Sequence, residues 1–426
     1  MQSKGVSRVL PMAAGVVVLA AGYLVAGPLN PPAGPITSTG KTLTEVEPRT
    51  AISAANTPGN ATAVVRITQP GSYYLTANLV GETGKHGIDI ASSGVTVDLN
   101  GFEVIGVGVS GGAFDGVRAF GAFKNITVRN GHVRNWGDDG VEIANVVNSV
   151  GARVEDVQST GNGGSGISCS TDNGVVLRCT ASENGATGIS ATRLVSGCTS
   201  TNNTTFGITM GQGGSILDSM AFANGDDGVR TGFGCIIVNC TSDNNTGDGI
   251  EASNGTTITN CSFLANGGSG INIFSSITVR NCTAVSNTLY GIDADTSCHI
   301  EGCTANSNQL DGIRIGSRGV VRNNLANSNG PSEIGAGIHG IGSDTRFEGN
   351  TCNNNDFGIT VDGTGNIIIN NTCANNVQAF VLVADNLYGP IIDRRIPTTV
   401  PSTPPVAGFS ATGTMGSTDS RANFAQ

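Results

Sequence analysis

Residues 258–279 read Ile258-Thr-Asn-Cys261-Ser-Phe-Leu-Ala-Asn266-Gly-Gly-Ser-Gly270-Ile-Asn-Ile273-Phe-Ser-Ser-Ile277-Thr-Val279. Short runs that alternate apolar and polar residues, each burying one face, are separated by turn residues. The pattern then restarts, with Val279, Asn287 and Gly291 each 21 residues after Ile258, Asn266 and Gly270. Working outward, Gly-Ile or Gly-Val recurs at Gly87, Gly116, Gly140, Gly166, Gly188, Gly207, Gly228, Gly249, Gly270, Gly291, Gly312, Gly337 and Gly358, and Ala379-Phe380 continues the series. Seven of the thirteen intervals are 21 residues long, and five of these run consecutively from Gly207 to Gly312. A period of this size means a solenoid built from stacked units.

Alignment on the glycine exposes three columns. Four residues earlier stands asparagine, at Asn162, Asn184, Asn203, Asn224, Asn245, Asn266, Asn287, Asn308, Asn354 and Asn375. Asparagine tolerates the left-handed backbone of a tight turn, and stacked amides bond along a column. Twelve residues earlier stands a branched apolar residue, and nine earlier stands cysteine at Cys179, Cys198, Cys240, Cys261, Cys282 and Cys303, with Ser219 in the gap. Twenty-one residues hold about three short strands and three turns, with successive coils ~4.8 Å apart. No window shows a 3.6-residue period with helix formers. The expected fold is therefore all-β, a right-handed parallel β-helix of about 14 coils with a ~21-residue period, the hand following from the preference of parallel crossovers.

Composition agrees. Glycine is 63 of 426 residues, and charged residues are 13%. This excludes coiled coils and helical bundles, and the 38% hydrophobic content argues against charge-driven disorder. A net charge of −10 without a basic run argues against a nucleic-acid partner. Column mates among the cysteines are close enough for disulfides, but in-register stacking points their Cβ vectors alike, so the expectation is buried free thiols.

Residues 1–27 read as a signal peptide or N-terminal anchor: Lys4 and Arg8 precede an apolar run. A Pro-rich linker follows at 28–40, an N-terminal cap at 41–66, the β-helix at 67–390, and a tail rich in Pro, Thr and Ser at 391–426. The expected location is secreted, periplasmic or cell-surface. The expected state is a monomer, touching membrane only through an uncleaved N-terminal segment.

The Asn column and coils such as Asn266-Gly-Gly-Ser-Gly-Ile271 resemble the right-handed parallel β-helix superfamily of pectate-lyase-like proteins. The entry coils Ile67-Thr-Gln-Pro-Gly-Ser-Tyr-Tyr-Leu75 and Gly94-Val-Thr-Val-Asp-Leu-Asn-Gly101 resemble a bacterial secreted group within it, of unassigned activity. The resemblance implies the fold and leaves activity open, because the superfamily holds lyases, hydrolases, epimerases, adhesins and non-enzymes.

Acidic residues carry the strongest chemical signal. Asp115, Asp139, Asp227, Asp248 and Asp311 each precede a coil glycine, and Asp138 and Asp226 double two of them. Carboxylates one coil apart suit general acid and base work in glycoside hydrolysis, which makes Asp115, Asp138, Asp139, Asp226, Asp227 and Asp248 the catalytic candidates. A ledge of Asp227, Asp248 and Glu251 is the candidate calcium site. Gly137-Asp-Asp-Gly140 is similar to the polygalacturonase motif that carries two catalytic aspartates. That family's Asn-Thr-Asp and Gly-His-Gly are absent here, and Asp311-Gly-Ile-Arg-Ile315 lacks its lysine. Against chemistry, Asp-Gly is a favoured turn pair, and the row Arg230, Glu251, Asn272, Asp293, Arg314 reads as charge pairing across strands. His86, His132, His299 and His339 show no metal-ligand spacing. The leading expectation is a non-catalytic surface, adhesion or carbohydrate-binding scaffold that takes a polysaccharide or cell-surface glycan. The alternative is a polysaccharide lyase or glycoside hydrolase using the stacked aspartates, with calcium as its only candidate cofactor.

Overall fold

A computed structural model of the chain describes residues 47–143, 149–331, 335–393, 408–409 and 418–426. The segments read as signal or anchor (1–27) and linker (28–40) lie outside these residues, as do 41–46 of the cap and 332–334 of the longest late coil. No helix among the described residues is long and apolar enough to cross a membrane.

One central coil shows how the sequence builds the fold. Ile250–Ala252, Thr257–Thr259 and Ser262–Leu264 are three-residue strands joined by turns. Within them Ile250, Ala252, Ile258 and Phe263 point inward and are buried, while their neighbours face out. The next coil repeats this in register: Ile250 pairs with Ile271, Ile258 with Val279 and Phe263 with Ala284. Each fully buried aliphatic side chain contributes about 1.5–3 kcal/mol. Volume is balanced within a coil: buried Phe347 is accommodated by Gly340, where an added Cβ would overlap the Phe347 ring.

Stacking gives a right-handed parallel β-solenoid. The strands that begin with the coil glycine and its Ile or Val form a 15-stranded parallel sheet, from Ala63–Ile67 to Gln378–Leu382. The other two strands of each coil lie in a second sheet of 31 strands. The solenoid has about 16 turns rather than about 14. Counting glycines misses the ends, because Ala63–Ile67 lacks the Gly-Ile marker and Leu387–Tyr388 follows the last one. The sheets thus begin within the stretch read as a cap, and Ile391–Asp393 and Asn423–Ala425 within the stretch read as a tail are strands.

The asparagine ladder is present, with one correction to its path and one to its role. It runs from Asn162 through Asn308 and continues through Asn329, Asn355 and Asn376, all buried. It does not pass through Asn354 or Asn375. Those two hold left-handed backbone (φ 55° each), as do Asn202, Asn244, Ala223, Ala265 and Ser286, each just before a ladder residue. The turn therefore divides two jobs between adjacent residues. The first takes the left-handed φ. The second keeps its amide for bonding along the column: Asn266 Nδ2 donates to Asn287 Oδ1 (3.0 Å) and to Ser242 O (2.9 Å).

The cysteine column is a second ladder in another turn. All eleven cysteines are buried and none is disulfide-bonded. Cys261 Sγ donates to Thr259 O (3.2 Å), and Cys240 N–H points at Cys261 Sγ (3.5 Å). Down the column the thiols give way to amides: Cys303 N–H donates to Asn324 Oδ1 (2.8 Å), and Asn324 is followed by Asn350, Asn371 and Asn423. Thiol and amide serve the same turn.

Candidate functional site

The 15-stranded sheet presents the candidate residues in two parallel columns. The aspartates that precede the coil glycine form one column. The outward middle residue of each strand forms the other, and includes Arg118, Glu142, Arg230, Glu251, Asn272, Asp293, Arg314 and His339.

The aspartate column has a repeated geometry. Asp115 Oδ1 accepts from Asp139 N–H (3.1 Å), and Asp139 Oδ1 from Ser165 N–H (2.6 Å). Asp227 Oδ1 accepts from Asp248 N–H (2.8 Å), Asp248 Oδ1 from Ser269 N–H (2.6 Å), and Asp311 Oδ1 from Ala336 N–H (2.7 Å). One oxygen of each carboxylate therefore caps the next coil. This explains structurally why aspartate recurs before the glycine, and it leaves the second oxygen for other chemistry.

Three clusters form around those second oxygens. In the first, Asp115 Oδ2 lies 3.2 Å from His86 Nδ1 and 3.8 Å from Arg118 Nε, and Arg118 Nε is 3.4 Å from Glu142 Oε2. The His86 ring nitrogens also face two donors, Asp115 N–H (2.9 Å) and Arg118 Nη1 (2.7 Å). One ring nitrogen always carries a proton, so only one of these contacts is a hydrogen bond at a time. Burial, reinforced by the Asp115 and Asp138 carboxylates, pushes Asp139 up to about 7, although Ser165 N–H opposes it. Burial and Asp115 likewise push Glu142 up to about 7. Asp138 is raised by burial and by Asp115.

In the second cluster, burial and a hydrogen bond with Glu251 push Asp227 up to about 7. Asp248 Oδ2 accepts from Asn272 Nδ2 (2.8 Å), and Arg230 Nε lies 3.5 Å from Glu251. Asp226 is exposed beside them. Among the described residues, no group of three His, Cys, Asp or Glu side chains is placed to hold a metal ion.

In the third, Arg314 Nη1 bonds both oxygens of Asp293 (3.1 and 3.0 Å). His339 bridges two carboxylates, Nδ1 to Asp311 Oδ2 and Nε2 to Asp362 Oδ2, each at 2.9 Å. A carboxylate on each ring nitrogen favours the doubly protonated ring, which alone can donate from both nitrogens. Burial opposes that charge, and the two carboxylates overcome it, raising the His339 pKa.

The structure thus groups Asp115, Asp138 and Asp139 in one cluster and Asp226, Asp227, Asp248 and Glu251 in another, four coils further along. Sequence reasoning missed His86, Arg118, His339 and Asp362. A signal was available for three of them: His86 precedes Gly87, in the aspartate column, and Arg118 and His339 stand two after Gly116 and Gly337, in the Arg314 column. Three arginines of the outward column also lie over aromatic rings, Arg118 on Phe120 (4.6 Å), Arg230 on Phe206 (5.0 Å) and Arg314 on Tyr290 (5.0 Å).

Comparison with known proteins finds a match to the family described as right handed beta helix region, over residues 115–297 and 274–392. No curated protein sequence matches. Solved structures similar to this chain include the A-module of an Azotobacter vinelandii mannuronan C-5 epimerase, at 17% identity and TM-score 0.46, covering 75% of this chain and 91% of that one. Another is the receptor binding domain of the Siphovirus 9NA tailspike, at 10% identity and TM-score 0.38, covering 83% and 72%. A third is the catalytic domain of a GH87 alpha-1,3-glucanase, at 10% identity and TM-score 0.30, covering 79% and 67%.

Proposed function

Because the chain belongs to the right-handed β-helix family, we propose that it is an exported glycan-binding β-helix that lays a polysaccharide along the outward column of its 15-stranded sheet. One observation carries this reading. Arg230, Glu251, Asn272, Asp293, Arg314 and His339 stand on six successive strands in register, so one face repeats hydrogen-bonding groups at the strand spacing of ~4.8 Å. A polymer with regularly repeated hydroxyls suits such a row. The Arg314 guanidinium keeps donors beyond those that engage Asp293. The rings of Phe206 and Tyr290 beneath the Arg230 and Arg314 guanidiniums hold those two donors in place along the row. The carboxylates favour a neutral glycan over an acidic one.

Glycan-array binding, run with and without calcium, tests this. Arg230→Ala, Asn272→Ala and Arg314→Ala should each weaken binding of the best glycan about tenfold. Equal binding by all three variants and the parent, or no bound glycan, overturns the reading.

A second reading rests on a separate observation. Burial and neighbouring carboxylates push Asp139 and Glu142 each up to about 7, where a carboxyl group can give or take a proton near neutral pH, and Glu142 lies 3.4 Å from Arg118. A reducing-end assay on the same glycans addresses it, and Asp139→Asn is the diagnostic variant because an amide oxygen can still cap Ser165 N–H. Product formation lost in Asp139→Asn supports hydrolysis or lyase chemistry; absence of product across the panel removes it.

A further inference from the structure

The end of the second sheet is threaded in an unusual order. Up to Thr372–Ala374, each strand pairs with its equivalent one coil on, as Thr351–Asn353 does with Thr372–Ala374. Ile367–Ile369 still pairs with Leu387–Tyr388 in that way. The next strand, Ile391–Asp393, does not pair with Thr372–Ala374. Between the two lies Asn423–Ala425, parallel to both, with Cys373 and Asp393 on either side of Ala425. The chain steps over one strand position and fills it later with a segment from 30 residues downstream.

The filling segment is tightly specified. Asn423 and Ala425 are fully buried. Asn423 Oδ1 accepts from Asn371 N–H (3.0 Å) and Nδ2 (3.2 Å), and its own amide donates to Ile368 O and Gly389 O (3.1 Å each). Backbone bonds run from Phe424 N–H to Asn371 O (2.9 Å), Asn423 N–H to Pro390 O (2.7 Å), Gln426 N–H to Cys373 O (2.8 Å) and Asn375 N–H to Gln426 O (2.7 Å). The position opposite is shaped to admit it, since a Cβ on Gly389 would overlap the Arg421 carbonyl.

We propose that the gap between Thr372–Ala374 and Ile391–Asp393 is a strand-binding slot whose ligand is residues 421–426 of the same chain. Main-chain hydrogen bonds to both walls supply affinity, and the buried Asn-x-Ala pattern supplies specificity. The covalent connection holds the ligand at an effective concentration in the range of about millimolar, so the slot is filled within one molecule under dilute conditions. The slot would accept an added extended segment of the same pattern when the chain's own strand leaves.

The test uses the full chain with a protease recognition sequence inserted between residues 400 and 401. After cleavage, the fragment carrying 421–426 should co-elute with the body at micromolar concentration. A labelled synthetic peptide of residues 418–426 should exchange into the cleaved protein, and a scrambled peptide should not. Gly389→Ala and Asn423→Ala should each speed fragment release at least tenfold. Hydrogen exchange over the coils between Gly207 and Gly312 should stay unchanged in both, which shows that the body remains folded. Strand exchange between two uncleaved copies at high concentration is the same slot filled in trans and counts for the proposal. Immediate loss of the fragment from the cleaved parent, or equal retention by Gly389→Ala, overturns it.

Discussion

At the residue scale, the aspartate column separates two roles that share one carboxylate. The capping role needs an oxygen acceptor and no charge. Asp139 shows the conflict most plainly, since its oxygen caps Ser165 N–H while burial raises its pKa to about 7. A carboxyl raised in the folded state costs stability above the unfolded pKa, near 4, and the cost grows until the folded pKa is reached. Asp139→Asn keeps the acceptor and removes the charge. It should stabilise the protein by about 1 kcal/mol at pH 8 and leave it unchanged at pH 4, as thermal melting at the two pH values will show. His339 has the opposite sign. Its folded pKa is raised, so its ion pairs contribute fully below the unfolded value of about 6.5 and are lost as pH rises through the folded value. His339→Gln should cost about 1–2 kcal/mol at pH 6. That difference should vanish at alkaline pH, and an NMR titration should place the imidazole above the ordinary histidine range.

At the element scale, stability resides in the turn columns as much as in the strands. Asn266 donates to Asn287 and Ser242 and accepts from the Asn245 main chain and side chain. Asn266→Ala strands several buried partners, each at ~1–3 kcal/mol, so a loss of about 3 kcal/mol or more is expected in denaturant melts. Cys261→Ser should cost under about 1 kcal/mol. Ser219 already occupies that column, where its hydroxyl donates to Leu217 O (2.7 Å) and accepts from Cys198 N–H (3.2 Å). The residue before each ladder asparagine carries strain where it is not glycine or asparagine. Ala265 holds φ 54°, and Ala265→Gly should raise stability by about 0.5–1 kcal/mol. A fall in stability there would show that the left-handed turn residue is chosen for something other than backbone geometry.

At the scale of the whole molecule, what the sequence reveals tracks the regularity of its period. From Gly207 to Gly312 every coil has 21 residues, so columns, strands and sheet register can be read directly. His86, Arg118 and His339 are marked by their distance from the coil glycine, but the irregular coils around them, of 29, 24 and 25 residues, hide which residues they meet. The slot at the far end was invisible for a different reason: Asn371 and Asn423 are neighbours in space but 52 residues apart in the chain, and no local pattern links them. The regular stretch supports a stronger test of the solenoid as a sum of interchangeable coils. Deleting residues 250–270 joins Gly249 to Ile271 and removes one entire coil, including its one buried aromatic residue, Phe263. Asn245 then stacks on Asn287, Cys240 on Cys282, and Ser242 on Ala284, a small pair like the existing contact of Ala284 with Ala305. Every inward and outward position is preserved, so this shortened chain should fold cooperatively and melt within a few degrees of the parent. Deleting 250–269 instead shifts the register by one residue and turns the buried face of the following strand outward. That protein should fail to fold or lose most of its stability. If the two deletions behave alike, the columns do not set the register, and the account of the fold given by the glycine and asparagine spacing is wrong.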